Sequence, residues 1–281
     1  MKGKNSMSLK IAIQGIQGSN HHQVAKDYYG DGITLVECLS FDALVDSLLN
    51  KKADEGVMAI ENSIAGSIIP NYALVFHKNL HIVGEYYLNI HHHLMVKKGQ
   101  KLSDITQVCS HPMALLQCKD FFRDYPDIKL IEDVDTAETA QRIQEKGLEN
   151  TAAIAPFVAS ELYNLDIVAE NIQTIKNNST RFIIVNTVAK ELSKEKINKA
   201  SLRFITDHKR GSLAAVLNVM SDCKLNLTKI QSLPVIETPW KYAFFVDVTF
   251  KTYTDFSKAK LLLNIMADEF KILGEYKNAM I

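Results

Sequence analysis

The chain has 281 residues, room for two or three domains at roughly 100–200 residues each. Its 32 basic and 32 acidic residues cancel, so it lacks the long-range field of a nucleic-acid binder or an anionic-membrane binder. No apolar run approaches the ~18 residues of a membrane span, residues 1–7 lack the apolar core of a secretory signal, and the four cysteines have no C-x-x-C spacing and read as reduced cytoplasmic thiols.

The first 187 residues alternate strand-like and helix-like stretches. Residues 9–14 read as a strand, 15–19 as a glycine turn, and the stretch up to about 29 as a helix. A strand at 33–38, a helix at 41–50 and a strand at 56–60 follow. The rhythm continues with strands at 88–96, 107–109, 129–131 and 152–154 and helices at 112–122 and 136–146. This pattern predicts an α/β fold with a mostly parallel sheet, whose ligand sites lie where strands turn into helices.

Four such junctions carry polar residues. Gly15-Ile16-Gln17-Gly18-Ser19-Asn20 fits neither a dinucleotide fingerprint nor a Walker loop. It reads as a plain tight turn slightly ahead of an anion cradle. Glu61-Asn62-Ser63 ends an apolar strand with more polar groups than one helix cap needs. Ser110-His111-Pro112 opens a helix, with Gln117 two turns along and on roughly the same face; a capping Ser and a solvent-facing Gln is the plainer alternative. Asn177-Asn178-Ser179-Thr180-Arg181-Phe182 leads into an apolar strand and holds one of only five arginines, a scarce carboxylate fork. An ordinary loop has the same composition. His91, His92 and His93 alternate faces in a strand and cannot converge on one metal, and His21-His22 has no third ligand. All five are read as structural.

Residues 188–200 are charge-rich and read either as one solvated helix face or as a linker. Beyond them, strands at 201–206, 225–236, 241–250 and 272–276 alternate with a helix carrying Leu213, Val216, Leu217 and Met220 and another over 255–270, with Leu261, Leu262, Ile265 and Met266 on one side. That β-α-β-β-α-β order predicts a ferredoxin-like unit of about 80 residues.

Taken in series, Glu61-Asn62-Ser63-x-x-Gly66, Ser110-His111-Pro112-x-Ala114-Leu115-x-Gln117-Cys118, Ala152-Ala153-Ile154-Ala155 and Asn178-Ser179-Thr180-Arg181-Phe182 resemble the motifs of prephenate dehydratases in order and approximate spacing. The C-terminal unit is similar to the ACT regulatory domain of those enzymes, at Gly211-Ser212-Leu213 and Asn226-Leu227-Thr228-Lys229-Ile230. Departures are Ser19-Asn20-His21 in the first glycine loop, where the family has Thr-Phe-Ser, Gln231-Ser232-Leu233-Pro234, where it has Glu-Ser-Arg-Pro, and Ser212 for Ala.

The resemblance implies a two-lobed, periplasmic-binding-protein-like α/β catalytic region over 8–190, a linker at 191–200 and a ferredoxin-like βαββαβ ACT domain over 201–281, with the active site between the lobes. It implies conversion of prephenate to phenylpyruvate in phenylalanine synthesis, no metal or organic cofactor, a homodimer or homotetramer, and feedback inhibition by phenylalanine. On this basis Thr180 assists departure of the ring hydroxyl, with Glu61 the rival acid on chemical grounds. Asn62, Ser63, Ser110 and Gln117 hydrogen-bond substrate oxygens, Arg181 forks a carboxylate, and Phe182 joins this set beneath the loop. The effector is expected at Gly211, Ser212, Leu213, Asn226 and Leu227. Arogenate dehydratase and a non-catalytic aromatic-acid sensor are the competing functions.

Overall fold

A computed structural model describes residues 8–207 and 209–280; the extension at 1–7 lies outside them. In chain order the elements are β1 (Lys10–Gln14), α1 (Asn20–Tyr29), β2 (Thr34–Cys38), α2 (Phe41–Leu49), β3 (Glu55–Asn62), β4 (Gly66–Ser67), α3 (Ile69–His77), β5 (His81–Asn89), β6 (His93–Lys97), β7 (Gln107–Ser110), α4 (Pro112–Gln117), β8 (Lys129–Glu132), α5 (Thr136–Lys146), β9 (Thr151–Ala155), α6 (Phe157–Leu162), β10 (Leu165–Ala169) and β11 (Ser179–Asn186). There follow β12 (Lys199–Ile205), α7 (Ser212–Asp222), β13 (Asn226–Pro234), β14 (Tyr242–Thr249), α8 (Tyr253–Met266) and β15 (Asp268–Tyr276). Contacts divide the chain into two compact units: 8–66 with 88–181, and 67–87 with 182–280.

Three sheets organise these elements, in the orders β2-β1-β3-β11-β5, with β4 on β3; β10-β6-β9-β7-β8; and β13-β14-β12-β15. In the first, β1 pairs in parallel with both β2 and β3. The second is mixed, not mostly parallel: β6 runs antiparallel to β9 and β10, while β7 runs parallel to β8 and β9. Alternation along its strands feeds two cores. Leu94, Val96 and Ile154 pack with Leu115 and Phe122, whereas Met95, Ala153 and Ala155 pack with Ala140, Ile143 and Ala159. Helices thus cover both faces of this sheet.

Several expected elements change. The strand expected over 88–96 breaks at 90–92 because its peptides are claimed elsewhere. Ile90 N donates to Asn178 O at 2.7 Å, His92 N to Gln173 Oε1 at 2.9 Å, and His92 O accepts from Ile172 N at 2.8 Å. The helix expected over 112–122 ends at Gln117, and a 3-10 turn at Phe121–Asp124 carries Phe122 into the core. The segment 188–200 forms no helix beyond a 3-10 turn at Lys194–Lys196, and β12 already starts at Lys199.

The C-terminal order β12-α7-β13-β14-α8-β15 is βαββαβ, and its sheet pairs antiparallel throughout. Phe204, Val216, Met220, Val248, Phe256 and Leu263 share its core. The apolar stripe 261-262-265-266 on α8 points out: Leu261 is 71% and Ile265 81% exposed. The buried stripe is Phe256, Ala259 and Leu263, which keeps the same period and seats an aromatic ring stacked 4.7 Å from Phe250. Among the described residues no helix is long and apolar enough to cross a membrane.

Candidate active site

The glycine turn after β1 is a packed corner. Gly15 N donates to Cys38 O, Gln17 N to Glu37 Oε1, Gly18 N to His22 Nδ1 and His22 N to Ser19 Oγ, so its amides are spent within the protein. Gly18 has φ +91° and lies so close to α6 that a Cβ there would stand 2.9 Å from Tyr163 Cε2. The tight-turn reading describes the backbone of this loop.

The other three junctions meet within the first unit. At the end of β3, Asn62 Oδ1 accepts from the backbone N–H of Ile64 (2.9 Å) and Ala65 (2.8 Å). Those two bonds fix which end of the amide faces away. Asn62 Nδ2 then donates to Asn178 Oδ1 at 2.6 Å and to Thr180 Oγ1 at 2.9 Å. Asn178, 1% exposed, passes the direction on: its Nδ2 donates to Gln117 Oε1 at 3.0 Å. His92 Nε2 stands 2.9 Å from the same oxygen. Thr180, Asn62, Asn178, Gln117 and His92 thus form one hydrogen-bonded chain.

The polarity matters for Thr180. Its oxygen accepts from Asn62, which leaves its own hydroxyl hydrogen to donate. Ser63 is bound to the start of β11 at both ends, by Ser63 N to Ser179 O (2.8 Å) and Ser179 N to Ser63 Oγ (2.9 Å). The exposed hydroxyl hydrogen of Ser63 is therefore also not consumed by that pairing.

The remaining expected residues sit differently. Ser110 is fully buried and donates to Ile154 O at 2.7 Å, joining β7 to β9. Its proton is spent on the fold. Alternation along β11 places Arg181 on the face opposite Thr180 and Phe182. Arg181 is buried, and Phe182, 1% exposed, is core. By the same alternation Glu61 faces away from Asn62 on β3. The effector residues divide too. Gly211, Ser212 and Leu213 line a cavity of about 620 Å³ with Arg210 at the start of α7, whereas Asn226 and Leu227 begin the edge strand β13 and do not line it.

Sequence reasoning left out Asn178 and His92. Asn178 stands inside the polar run that was singled out, and its neighbour Thr180 drew the attention. His92 looked like one of three alternating histidines; the break between β5 and β6 turns its ring inward. Burial lowers the pKa of His92 below the ordinary histidine range, so the whole chain is neutral. No group of three or more His, Cys, Asp or Glu side chains suited to a metal occurs among the described residues.

Comparison with known proteins places this geometry. The family profile for prephenate dehydratase matches residues 11–190. A bifunctional chorismate mutase/prephenate dehydratase from Buchnera aphidicola subsp. Acyrthosiphon pisum (strain APS) is 32% identical over 242 residues, covering 85% of this chain and 63% of that protein. This chain therefore spans less than two thirds of that relative's length. An Arabidopsis thaliana arogenate dehydratase/prephenate dehydratase 1 is 36% identical over 231 residues, covering 82% and 58% of the two chains. Among solved structures, GqqA, described as a novel type of quorum quenching acylase, superposes with TM-score 0.86 at 25% identity over 95% of this chain and 97% of its own. Prephenate dehydratase from Arthrobacter aurescens in complex with L-Phe superposes at 0.85 over 97% and 91%, a likeness of fold at 22% identity. Because the family profile covers well over half of its residues, the chain belongs to the prephenate dehydratase family.

Proposed function

We propose that the protein catalyses the decarboxylating dehydration of prephenate to phenylpyruvate. The carboxylate carbon–ring bond breaks, its electron pair completes the aromatic ring, and the ring hydroxyl leaves, taking one proton from solvent overall to become water. Aromatisation drives the step, so the protein has to position a dianion and assist one leaving oxygen. The observation that carries this reading is the Asn62–Thr180 hydrogen bond, 2.9 Å, in which the amide donates. It leaves the Thr180 hydroxyl hydrogen to donate to the departing oxygen, help typically worth ~10²–10⁴-fold. Glu61, on the opposite face of β3, does not share that donor role. Ser63 and the Gln117 amide donate to substrate oxygens, and Asn178 joins the set as the group that orients Gln117. Arg181 contributes its buried positive charge rather than a fork beside Thr180. Ser110 and Phe182 support the site from within the fold.

The reading extends to regulation. Residues 8–190 form the catalytic region and 201–281 an ACT domain, with the linker expected at 191–200 ending where β12 begins at Lys199. Phenylalanine binds where the Gly211-Ser212-Leu213 cavity of one copy meets Asn226 and Leu227 of another, in a cytoplasmic homodimer or homotetramer. The test is turnover of prephenate by the purified protein, followed as phenylpyruvate absorbance under alkali, with arogenate in parallel because relatives at 32–36% identity carry that name. Turnover of prephenate is expected; turnover of arogenate alone moves the assignment to that substrate, and binding without turnover of either leaves a sensor. Thr180 is not set up as an acylase nucleophile: its oxygen accepts from an amide, and among the described residues no base is hydrogen-bonded to its proton.

A further inference from the structure

The direction of the hydrogen-bond chain reaches beyond the residues that face substrate. It starts at two groups that can only donate, the backbone N–H of Ile64 and Ala65. Each amide along the way is then forced: Asn62 presents nitrogen to Asn178, and Asn178 presents nitrogen to Gln117. Gln117 is left with its oxygen inward and its Nε2 without a hydrogen-bond partner among the described residues, on a half-buried side chain. The second group at that oxygen is His92 Nε2, 2.9 Å away. An amide oxygen carries no proton, so the imidazole must donate, and its single proton resides on Nε2. Nδ1 of His92 is then a bare lone pair, buried with no hydrogen-bond partner among the described residues. Among those residues no other hydrogen bond holds the ring, whereas its backbone is fastened by Gln173 and Ile172.

We propose that His92 is a positioning residue of the dehydratase reaction: its Nε2–H, acting with Asn178, locks the Gln117 carbonyl inward so that the Gln117 amide N–H groups face the anionic substrate. If the Gln117 amide turned over, its N–H groups would meet two donors inside and its oxygen would meet carboxylate outside. The lock keeps Gln117 a donor in the ground state and in the transition state alike. Its loss therefore raises KM and spares kcat. This inference rests on the dehydratase reading.

The experiment measures kcat and KM for prephenate in the wild type, His92→Leu, His92→Asn, His92→Gln, Gln117→Ala and His92→Leu/Gln117→Ala. His92→Leu is expected to raise KM about tenfold with kcat within about threefold, the scale of one hydrogen bond to a charged group. His92→Asn, whose amide stops short of the ε position, behaves the same way. His92→Gln, which keeps a donor at that position, restores KM to within about threefold of wild type. In the Gln117→Ala background the His92→Leu change adds nothing, because its effect is transmitted through Gln117. A fully additive double variant, or KM in His92→Asn equal to wild type, overturns the proposal. The wild-type protein supplies a check that needs no substitution: imidazole ¹⁵N shifts of His92 are expected to report the Nε2–H tautomer, and the Nδ1–H tautomer overturns the assignment. Absence of prephenate turnover by the wild type sinks the dehydratase reading itself, whereas normal turnover with an Nδ1–H His92 sinks only this inference.

Discussion

The two compact units are wired by different chemistry. In the first, the polar chain from Thr180 to His92 is made of amides, a hydroxyl and a neutral imidazole. In the second, the segment 67–87 is held to the C-terminal sheet by charges. Lys199 Nζ lies 2.8 Å from Glu85 Oε2 and 3.1 Å from Tyr87 Oη, with the ion pair almost fully buried. The Arg203 guanidinium sits 3.7 Å from the Phe76 ring centroid, Lys271 donates to Asn79 and Lys229 donates to Ser67. A neutral chain has a fixed direction, set by which groups can only donate, and so it can aim protons. A buried ion pair has no such direction; it holds strongly while both partners are present.

The largest effect should come from ending the neutral chain at its working end. Thr180→Val keeps the shape and removes the proton. Its kcat for prephenate is expected to fall ~10²–10⁴-fold, about 3–5 kcal/mol, with KM nearly unchanged. Thr180→Ser should recover much of the rate. A Val variant within tenfold of wild type would show that the Thr180 hydroxyl does not act on the reaction.

The matching break in the second unit is Lys199→Met. It removes the ammonium partner of the buried Glu85 carboxylate, which also accepts from the Ala279 amide at 3.1 Å, and should cost about 3–5 kcal/mol in urea unfolding. Glu85→Leu combined with Lys199→Met should regain most of that loss, since no uncompensated charge stays buried. If the double variant is as unstable as the single one, the contacts of Tyr87 and Ala279 matter more than the pairing of charges. Thr180→Val, by contrast, removes one neutral acceptor from Asn62 and should cost only about 1 kcal/mol, which separates the two kinds of wiring in one assay.

Legibility in the sequence divided along similar lines. The alternating rhythm to residue 187 and the βαββαβ order after it follow from apolar periodicity, which local burial enforces; α5 spans 136–146 as its periodicity predicts. The helix at 69–77 went unread although Pro70 stands in its first turn, because its buried residues, Asn71, Tyr72 and Val75, mix polar with apolar. The site residues at 62 and 180 stood out as polar side chains at strand ends, and Gln117 as a polar side chain on the helix that follows one. Asn178 and His92 did not, because their roles come from hydrogen bonds across 116 and 25 residues of chain. Periodicity carries no such pairing. Which stripe of α8 faces the core is not legible for a related reason: 256-259-263 and 261-262-265-266 are both apolar at helical spacing, and only the sheet selects between them.

Acid should distinguish the units next. His21 is buried, accepts from Ala59 N–H, and burial lowers its pKa from 6.5 to about 3. A folded-state pKa below the unfolded value means that the unfolded chain binds the extra proton. Stability is then full above about pH 6.5 and falls progressively as pH drops toward 3. From His21 alone the loss by pH 5 is about 2 kcal/mol. His92 and His93, lowered by burial as well, add to it in the same direction. Urea midpoints at pH 7 and pH 5 measure the slope. His21→Gln, which keeps an acceptor for Ala59, should flatten it, and an unchanged slope in that variant would place the acid sensitivity elsewhere.

The smallest effect, and the one that joins the two kinds of wiring, concerns Lys229. It lies on β13 just after Asn226-Leu227-Thr228, and its Nζ donates to Ser67 Oγ at 2.6 Å. Ser67 is four residues beyond Ser63, whose backbone and hydroxyl hold the start of β11 next to Thr180. A displacement of β13 by an effector at Asn226 and Leu227 would be passed to Ser67 through this bond. One partly buried hydrogen bond to an ammonium group is worth on the order of 1 kcal/mol, so the expected coupling is several-fold rather than absolute. Lys229→Met should leave kcat without phenylalanine within about twofold and weaken phenylalanine inhibition about threefold to fivefold, with Ser67→Ala doing the same. Because either substitution removes the same bond, combining them should weaken inhibition no further. Full inhibition in both single variants would mean that the effector, wherever it binds, reaches Thr180 by a route that does not pass through Ser67.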